Sequence, residues 1–368
     1  MSAGFVLVLG GANMDVSACA DHALRPGDST PGRVRSSPGG VARNVAENLA
    51  RLGHDARLIS AVGNDAQGHA LLNATRQAGV DVSGCRVLPG VATASYVSVH
   101  GVDGDMAVAV NDMQALEHIT PASLELHARL VGQAAALVVD CNLSESALAW
   151  LFAHCGSTPV FVDAVSAFKC RRLLPWLDQV HTLKVNRLEA QALSGLAVSS
   201  LHEVEQAAGW LHRHGVQHVV VSLGEQGLYY SANEGGEAAG TDAGARADPR
   251  EHESEHESER GWQAALPTTV LNATGAGDAL MAGLVHSFLV DLVQTDSRRV
   301  NLHPSPGPLA RAVRFASGCA ALTLTAESAN HPSLCVDLVE QWLQALPATG
   351  AARPLDDHLR EHLPPPTP

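Results

Sequence analysis

The stretch Asn272-Ala273-Thr274-Gly275-Ala276-Gly277-Asp278 combines residue types that could do chemistry together. Gly275 and Gly277 flank Ala276, so no bulky side chain blocks close approach to the backbone. The apolar run that follows, Ala279 to Val285 and on to Phe288 and Leu289, reads as a buried helix starting at about Asp278. The first turn of a helix carries unpaired N–H groups and the positive end of its dipole. Behind glycines, those donors form an anion site suited to a phosphate. A carboxylate beside such a site repels the anion. That cost makes sense if Asp278 accepts a proton from a hydroxyl attacking the phosphate. The same residues also fit a plainer structure, in which Asp278 caps a helix and the glycines shape a turn.

Other polar residues stand at the ends of predicted elements. Phe5 to Leu9 is a continuous apolar run, as a parallel strand buried on both faces requires. It ends in Gly10-Gly11-Ala12-Asn13-Met14-Asp15, where ligands of open α/β sheets bind, so Asn13 and Asp15 are placed to hold sugar hydroxyls or to form an Asx turn. Arg33 to Ser37 reads as a short exposed strand, broken by Pro38-Gly39-Gly40 ahead of a helix from Val41 to Leu52. Asn44 lies in the first turn of that helix and Asn48 one turn on; Asn44 is the ligand candidate and Asn48 reads as polar surface. Arg57 to Val62 reads as a strand and Gln67 to Ala78 as a helix. Thr93 to His100 and Asp105 to Asn111 form a hairpin around Asp103-Gly104. It interrupts helical units and reads as a lid that could carry Asn111 and Asp112 over a ligand.

A regular βαβ rhythm then resumes. Strands are expected at Ala136 to Asp140, Val160 to Asp163, Thr182 to Val185, Val219 to Leu223 and Leu228 to Tyr230. Helices are expected at Glu145 to Cys155, from the Ser200/Glu203 capping box to Gly215, at Leu309 to Thr325 and at Ser333 to Ala345. The rhythm implies an α/β fold, a doubly wound and mostly parallel sheet with helices on both faces. One domain spans 1–346, with a small β lid from about 15–37 and 93–113. A Glu-His-Glu-Ser repeat marks 232–261 as a disordered acidic insert, and the Pro364-Pro365-Pro366-Thr367-Pro368 end marks 347–368 as a mobile tail.

The formal net charge of −14 argues against nucleic acid or an anionic membrane as partner. Between Ser231 and Arg260 lie nine acidic residues and three arginines, a net of −6, which leaves an ordinary −8 for the rest. The seven cysteines include no Cys-x-x-Cys pair, which excludes zinc and disulfide frameworks and fits a reducing cytoplasm. No apolar run in the sequence reaches membrane-spanning length.

Gly-Ala-Asn-Met-Asp after the first strand, Gly-Gly opening a helix, Asn186-x-x-Glu189 and Thr-Gly-Ala-Gly-Asp late in the chain occur in that order. Together they resemble the ribokinase-like (phosphofructokinase-B type) family of sugar and nucleoside kinases, from about Phe5 to Ala345. The resemblance implies ATP and Mg²⁺ as cofactors, Asp278 as catalytic base, and the Gly275–Ala276–Gly277 backbone as the anion hole. It implies that Asn186 and Glu189 position Mg²⁺ through water, and that Ser222, Gly224 and Gly227 form the nucleotide turn. Asn13, Asp15 and Asn44 would grip the substrate, and Gly39 and Gly40 would be the hinge of the lid. Lys169 would contact nucleotide or substrate, unless it is a solvated surface lysine. Family members often bind K⁺ through residues matching Asn272 and Thr274, but an Asp is usual at the former, and an amide oxygen is a weaker ligand. Lid strands of the family sometimes pair between subunits, which would make a homodimer.

Within the family the chain looks most like pseudouridine kinases, through Gly39-Gly40-Val41-Ala42-Arg43-Asn44, Ser60 to Asp65, Val110-Asn111-Asp112-Met113, Val139 to Asn142 and Ser166-Ala167-Phe168-Lys169-Cys170. The implied reaction is ATP-dependent phosphorylation of the ribose 5′-hydroxyl of pseudouridine. Alternatives are another ribonucleoside or sugar kinase, ribokinase-like or inosine/adenosine kinase-like, and a non-catalytic nucleoside-binding regulator. The intact Asp278 and Gly275–Gly277 count against the regulator.

Overall fold

Val6, Leu7, Val8 and Leu9 are all fully buried, because this strand lies between two others and under helices on both faces. The structure, a computed structural model, describes residues 4–233, 259–295 and 307–346. In chain order the strands are β1 (Val6–Leu9), β2 (Asn13–Ala20), β3 (Gly32–Gly39), β4 (Ala56–Ile59), β5 (Ala61–Gly63), β6 (Arg86–Leu88), β7 (Ser95–His100), β8 (Met106–Asp112), β9 (Ala136–Asp140), β10 (Val160–Asp163), β11 (Thr182–Asn186), β12 (His218–Ser222), β13 (Leu228–Ala232) and β14 (Arg260–Gln263). The helices are α1 (Val41–Arg51), α2 (Ala66–Gln77), α3 (Pro121–Glu125), α4 (Ala128–Val131), α5 (Glu145–His154), α6 (Arg187–Ser194), α7 (Leu201–Arg213), α8 (Ala276–Thr295), α9 (Pro308–Leu324) and α10 (Val336–Ala345).

The main sheet runs β14-β13-β12-β11-β10-β9-β1-β4, parallel except for the β12–β13 and β13–β14 pairs. One core joins Leu7, Leu9, Val139, Val162 and Val185 to Leu148, Leu193 and Leu211 of α5, α6 and α7. The other joins Val6, Val8, Val138 and Phe161 to Val45, Leu49, Met281 and Val285 of α1 and α8. Alternate strand residues thus feed opposite layers. The window Ala276–Val293 is apolar and long enough to cross a membrane by composition. Here Ala279, Met281, Ala282 and Val285 are fully buried in the second core. A second sheet, β3-β2-β7-β8, contains the segments expected to act as a lid.

Several elements depart from the sequence reading. The loop expected after β1 becomes β2 at Asn13, because β3 and β7 supply hydrogen-bond partners on both sides. The strand expected over Arg57 to Val62 divides at Ser60, whose Oγ donates to the Gly10 carbonyl at 2.7 Å, and β5 leaves to pair with β6. Arg260 and Gly261, expected in the acidic insert, belong to β14, which pairs with β13 with Trp262 opposite Tyr229. Asn48 is fully buried rather than on the surface, and both polar atoms of its amide lack a hydrogen-bond partner. Helix α8 begins at Ala276, so Asp278 sits within its first turn and is not the residue before it. The repeat over 251–258, the rest of 234–258, the loop over 296–306 and the tail from 347 lie outside the described residues.

Candidate active site

Gly275 turns the chain into α8 with φ +85°, and any side chain there would collide with the Ala329 carbonyl. The backbone N–H groups of the first turn of α8, at the positive end of the helix dipole, lie beside Asp278. Asp278 is 8% exposed, and its Oδ2 accepts a hydrogen bond from Asn44 Nδ2 at 2.8 Å. Burial, reinforced by the negative Asp163 and Asp140, pushes its carboxyl up to about 7, against the opposing pull of Lys184 and of the Asn44 bond. A carboxyl tuned to that range suits a group that takes a proton near neutral pH.

On one side of Asp278 stand the polar residues of β2 and α1. Asn13 Nδ2 donates to Asp15 Oδ1 at 2.6 Å, and burial raises the Asp15 carboxyl. Asp15 also lies against Gly39, where a side chain would strike its carboxylate. Gly40 caps α1 with φ +100°, packed so close to the Gly11 carbonyl that no Cβ fits. Gly39 and Gly40 thus join the lid strand β3 to α1. Asp140 organises this corner from beneath: its Oδ2 accepts Gly11 N at 2.8 Å and Ala42 N at 3.0 Å, and its Oδ1 accepts Asn142 N at 2.9 Å.

On the other side stand β11 and β12. Lys184 Nζ lies 2.6 Å from Asp163 Oδ2, both side chains being buried, and a Cβ on Gly277 would meet that ammonium at 2.8 Å. The Lys184–Asp163 pair therefore lies directly beneath the glycine turn. Asn186 caps α6: its Oδ1 accepts Glu189 N, while its own N and Nδ2 donate to Glu189 Oε2 and Oε1 at 2.8 and 2.9 Å. Ser222 is the register partner of Asn186, and the turn Gly224–Gln226 follows, closed by Leu223 N donating to the Gly227 carbonyl at 2.7 Å. Asn272 Oδ1 accepts Thr274 N at 2.9 Å, and its Nδ2 donates to the Glu327 carbonyl at 3.1 Å.

A model of the pfkB family of carbohydrate kinases matches residues 3–334. This chain belongs to the pfkB family of carbohydrate kinases. It is a phosphotransferase acting on a hydroxyl group. It is 41% identical over 332 residues to a pseudouridine kinase of Escherichia coli strain K12, covering 90% of this chain and 94% of that one. It is 36% identical over 333 residues to YeiI, an uncharacterized sugar kinase of the same strain, covering 90% and 82%. The structure of Arabidopsis thaliana ribokinase complexed with ribose and ATP matches with a TM-score of 0.73 at 19% identity, over 94% of this chain and 99% of that one. That likeness shows a shared fold.

The structure narrows the position of two residues of this pfkB kinase. Lys169, expected to contact nucleotide or substrate, donates to Asn142 Oδ1 at 2.6 Å, and Asn142 lies against Gly11, two residues before Asn13. The chain reaches there through Val165 at φ 65°, an unfavourable backbone for a β-branched residue, held by Val165 N donating to Asp163 Oδ1 at 3.0 Å. Asp112, expected over the ligand with Asn111, is on the other face of the lid. Asp15, Tyr96 and Asn111 are register partners and share one face; Asp112 alternates to the opposite one, and its carboxylate accepts Gln114 N at 3.1 Å. Sequence reasoning singled out no role for Asp140, Asp163, Lys184 or Arg43. A charged residue closing an apolar strand, as in Val139-Asp140 and Val162-Asp163, was the available signal.

Proposed function

We propose that this kinase transfers the γ-phosphoryl group of ATP to the ribose 5′-hydroxyl of pseudouridine. The observation that carries the reading is the position of Asp278. Asn44 bonds it from α1, whose neighbouring Arg43 guanidinium is within the field of both Asp15 and Asp278, and Lys184 is within the field of both Asp278 and Glu189. Asn13 and Asp15 orient the ribose. Asp278 takes the hydroxyl proton while the oxygen attacks phosphorus, and the N–H groups of the Gly275–Gly277 turn neutralise charge on the transferring group.

The residues present fit ATP and Mg²⁺. Gly275 and Gly277 put no side chain over the first turn of α8, whose N–H groups are donors suited to a phosphate, and the Ser222–Gly227 turn follows the carboxyl end of β12. Among the described residues no three His, Cys, Asp or Glu side chains gather to cage a metal. Both Glu189 oxygens are held by Asn186, so Mg²⁺ would be carried by phosphates and water, with Asn186 and Glu189 in the outer shell. When bound, it supplies positive charge to the phosphates. The reading needs no potassium ion, because Asn272 Oδ1 is already spent on Thr274 N. It places the kinase in the cytoplasm, consistent with seven free cysteines.

The identity of the substrate rests on the likeness to the E. coli pseudouridine kinase. Pseudouridine keeps a ring N–H that uridine lacks, and we assign Asn111 as its acceptor because it shares the Asp15 face of the lid. Asn111 is exposed here, so the preference requires that the bound nucleoside cover it; an acceptor buried and left unpaired in that way costs about 1–3 kcal/mol, and pseudouridine should then be preferred over uridine by roughly 5- to 150-fold in kcat/KM. The test is ATP-dependent phosphorylation across a panel of nucleosides and sugars, with Asn111→Ala included. The variant should narrow the gap mainly by losing pseudouridine activity. Equal use of both nucleosides, or preference for a free sugar, would overturn the substrate and leave the kinase.

A further inference from the structure

Arg43 is 4% exposed, and every nitrogen of its guanidinium has a partner, from its own helix α1, from α2, from lid strand β3 and from Asn330. Nε donates to Thr75 Oγ1 of α2 at 3.1 Å, and Nη2 pairs with Glu47. Nη1 donates to Asn44 Oδ1 at 3.0 Å, to Asn330 Oδ1 at 3.2 Å and to the Pro38 carbonyl of lid strand β3 at 3.4 Å. Asn330 Nδ2 in turn donates to the Asn44 carbonyl at 2.9 Å. The Asn44 side chain is thereby gripped at its oxygen end, with its Nδ2 on Asp278 Oδ2 at 2.8 Å.

An amide has an acceptor end and a donor end. Flipping Asn44 would set its NH₂ against the Arg43 donors and its oxygen against the Asp278 carboxylate, two repulsive contacts in a buried site. The guanidinium therefore decides which end of Asn44 meets the carboxylate. With Oδ2 taken up by Asn44, Oδ1 remains to accept a proton.

We propose that Arg43 is a positioning residue: through Asn44 it orients the Asp278 carboxylate for proton abstraction, and through Pro38 it ties that geometry to the lid hinge. The inference rests on Asp278 as the base. The charges around Asp278 are Lys184 from β11, Asp163 from β10, Asp140 from β9 and Arg43 itself from α1. Lys184, Asp163 and Asp140 stay in place when the Arg43–Asn44 chain is cut.

The experiment measures kcat, KM and the pH profile of Arg43→Met, Arg43→Lys and Asn44→Leu with ATP and pseudouridine. Arg43→Met should lower kcat roughly 10- to 100-fold, the scale of a misplaced catalytic group, with nucleoside KM changed less than about threefold. Losing the donor on Asp278 disfavours its charged form, so the acid limb of kcat/KM should move to higher pH in Arg43→Met and Asn44→Leu. Arg43→Lys, which can still donate to Asn44, should recover part of the loss. Asn44→Leu leaves the Arg43–Glu47 pair intact and decides the matter if Arg43→Met does not fold. In an Asp278→Asn background, Arg43→Met should cost little more. An unmoved acid limb, a rise in KM alone, or a full additional loss in the Asp278→Asn background would overturn the role of Arg43. An active Asp278→Asn enzyme would instead overturn the base itself.

Discussion

Asp278 is held between opposing demands, since burial and two carboxylates disfavour its charge while Lys184 and Asn44 support it. Asp278→Asn keeps size and shape but cannot take a proton. Turnover should fall roughly 10²- to 10⁴-fold with nucleoside KM little changed; near wild-type turnover would remove Asp278 from its role. The activity of the wild type should show an acid limb near pH 7. Stability carries the same signature with a definite sign. The folded carboxyl titrates above its ordinary value of 3.8, so the neutral form favours folding and that contribution is lost as pH rises from about 4 to about 7. The melting temperature of Asp278→Asn, relative to wild type, should therefore rise between pH 5 and pH 8; a constant difference would mean no raised carboxyl. Asp278 and the two glycines were legible in sequence because they sit within four consecutive positions. The Lys184–Asp163 pair and the Arg43–Asn44–Asp278 chain were not, since their members are brought together only by strand order and helix docking.

At the scale of elements, helix ends were read well where the side chain caps its own turn. Ser200 and Glu203 form the expected capping box. Elements defined by a distant partner were harder: β2 and β14 exist because neighbouring strands pair with them. The lid shows what pairing adds. One face carries Asp15, Tyr96 and Asn111, while the opposite face carries Val34, Val97, Val108 and Val110, exposed by 68%, 39%, 54% and 66%. Such a flat apolar face is unusual on a lone molecule. We propose that two copies of this kinase pair through it. Val97→Glu with Val110→Glu should convert a dimer to a monomer in light scattering; a wild-type monomer at micromolar concentration would refute the pairing.

At the scale of the whole molecule, the alternation of apolar strands and amphipathic helices announced the parallel sheet, and strand ends announced where ligands gather. The order of the strands along the sheet was not available from the sequence, and that order sets Asp140, Asp163 and Lys184 side by side. The hairpin of β13 and β14 has one more consequence. Ala232 N donates to the Glu259 carbonyl at 2.8 Å, so the two ends flanking residues 234–258 are fixed side by side. Because β13 runs antiparallel to β12, they lie five residues along the strand, about 17 Å, from Gly227, at the opposite end of the strands from the Gly224–Gly227 turn. A two-residue Asn-Gly turn should replace 234–258 with melting temperature held within about 3 °C and turnover within about twofold, because closing a loop depends only weakly on its length; a large loss in either would show that the segment packs or binds. By the same geometry, this is a port in the molecule: a fluorescent protein or an affinity tag, whose termini need only meet a gap one strand spacing wide, could be spliced there and report on the kinase while it works.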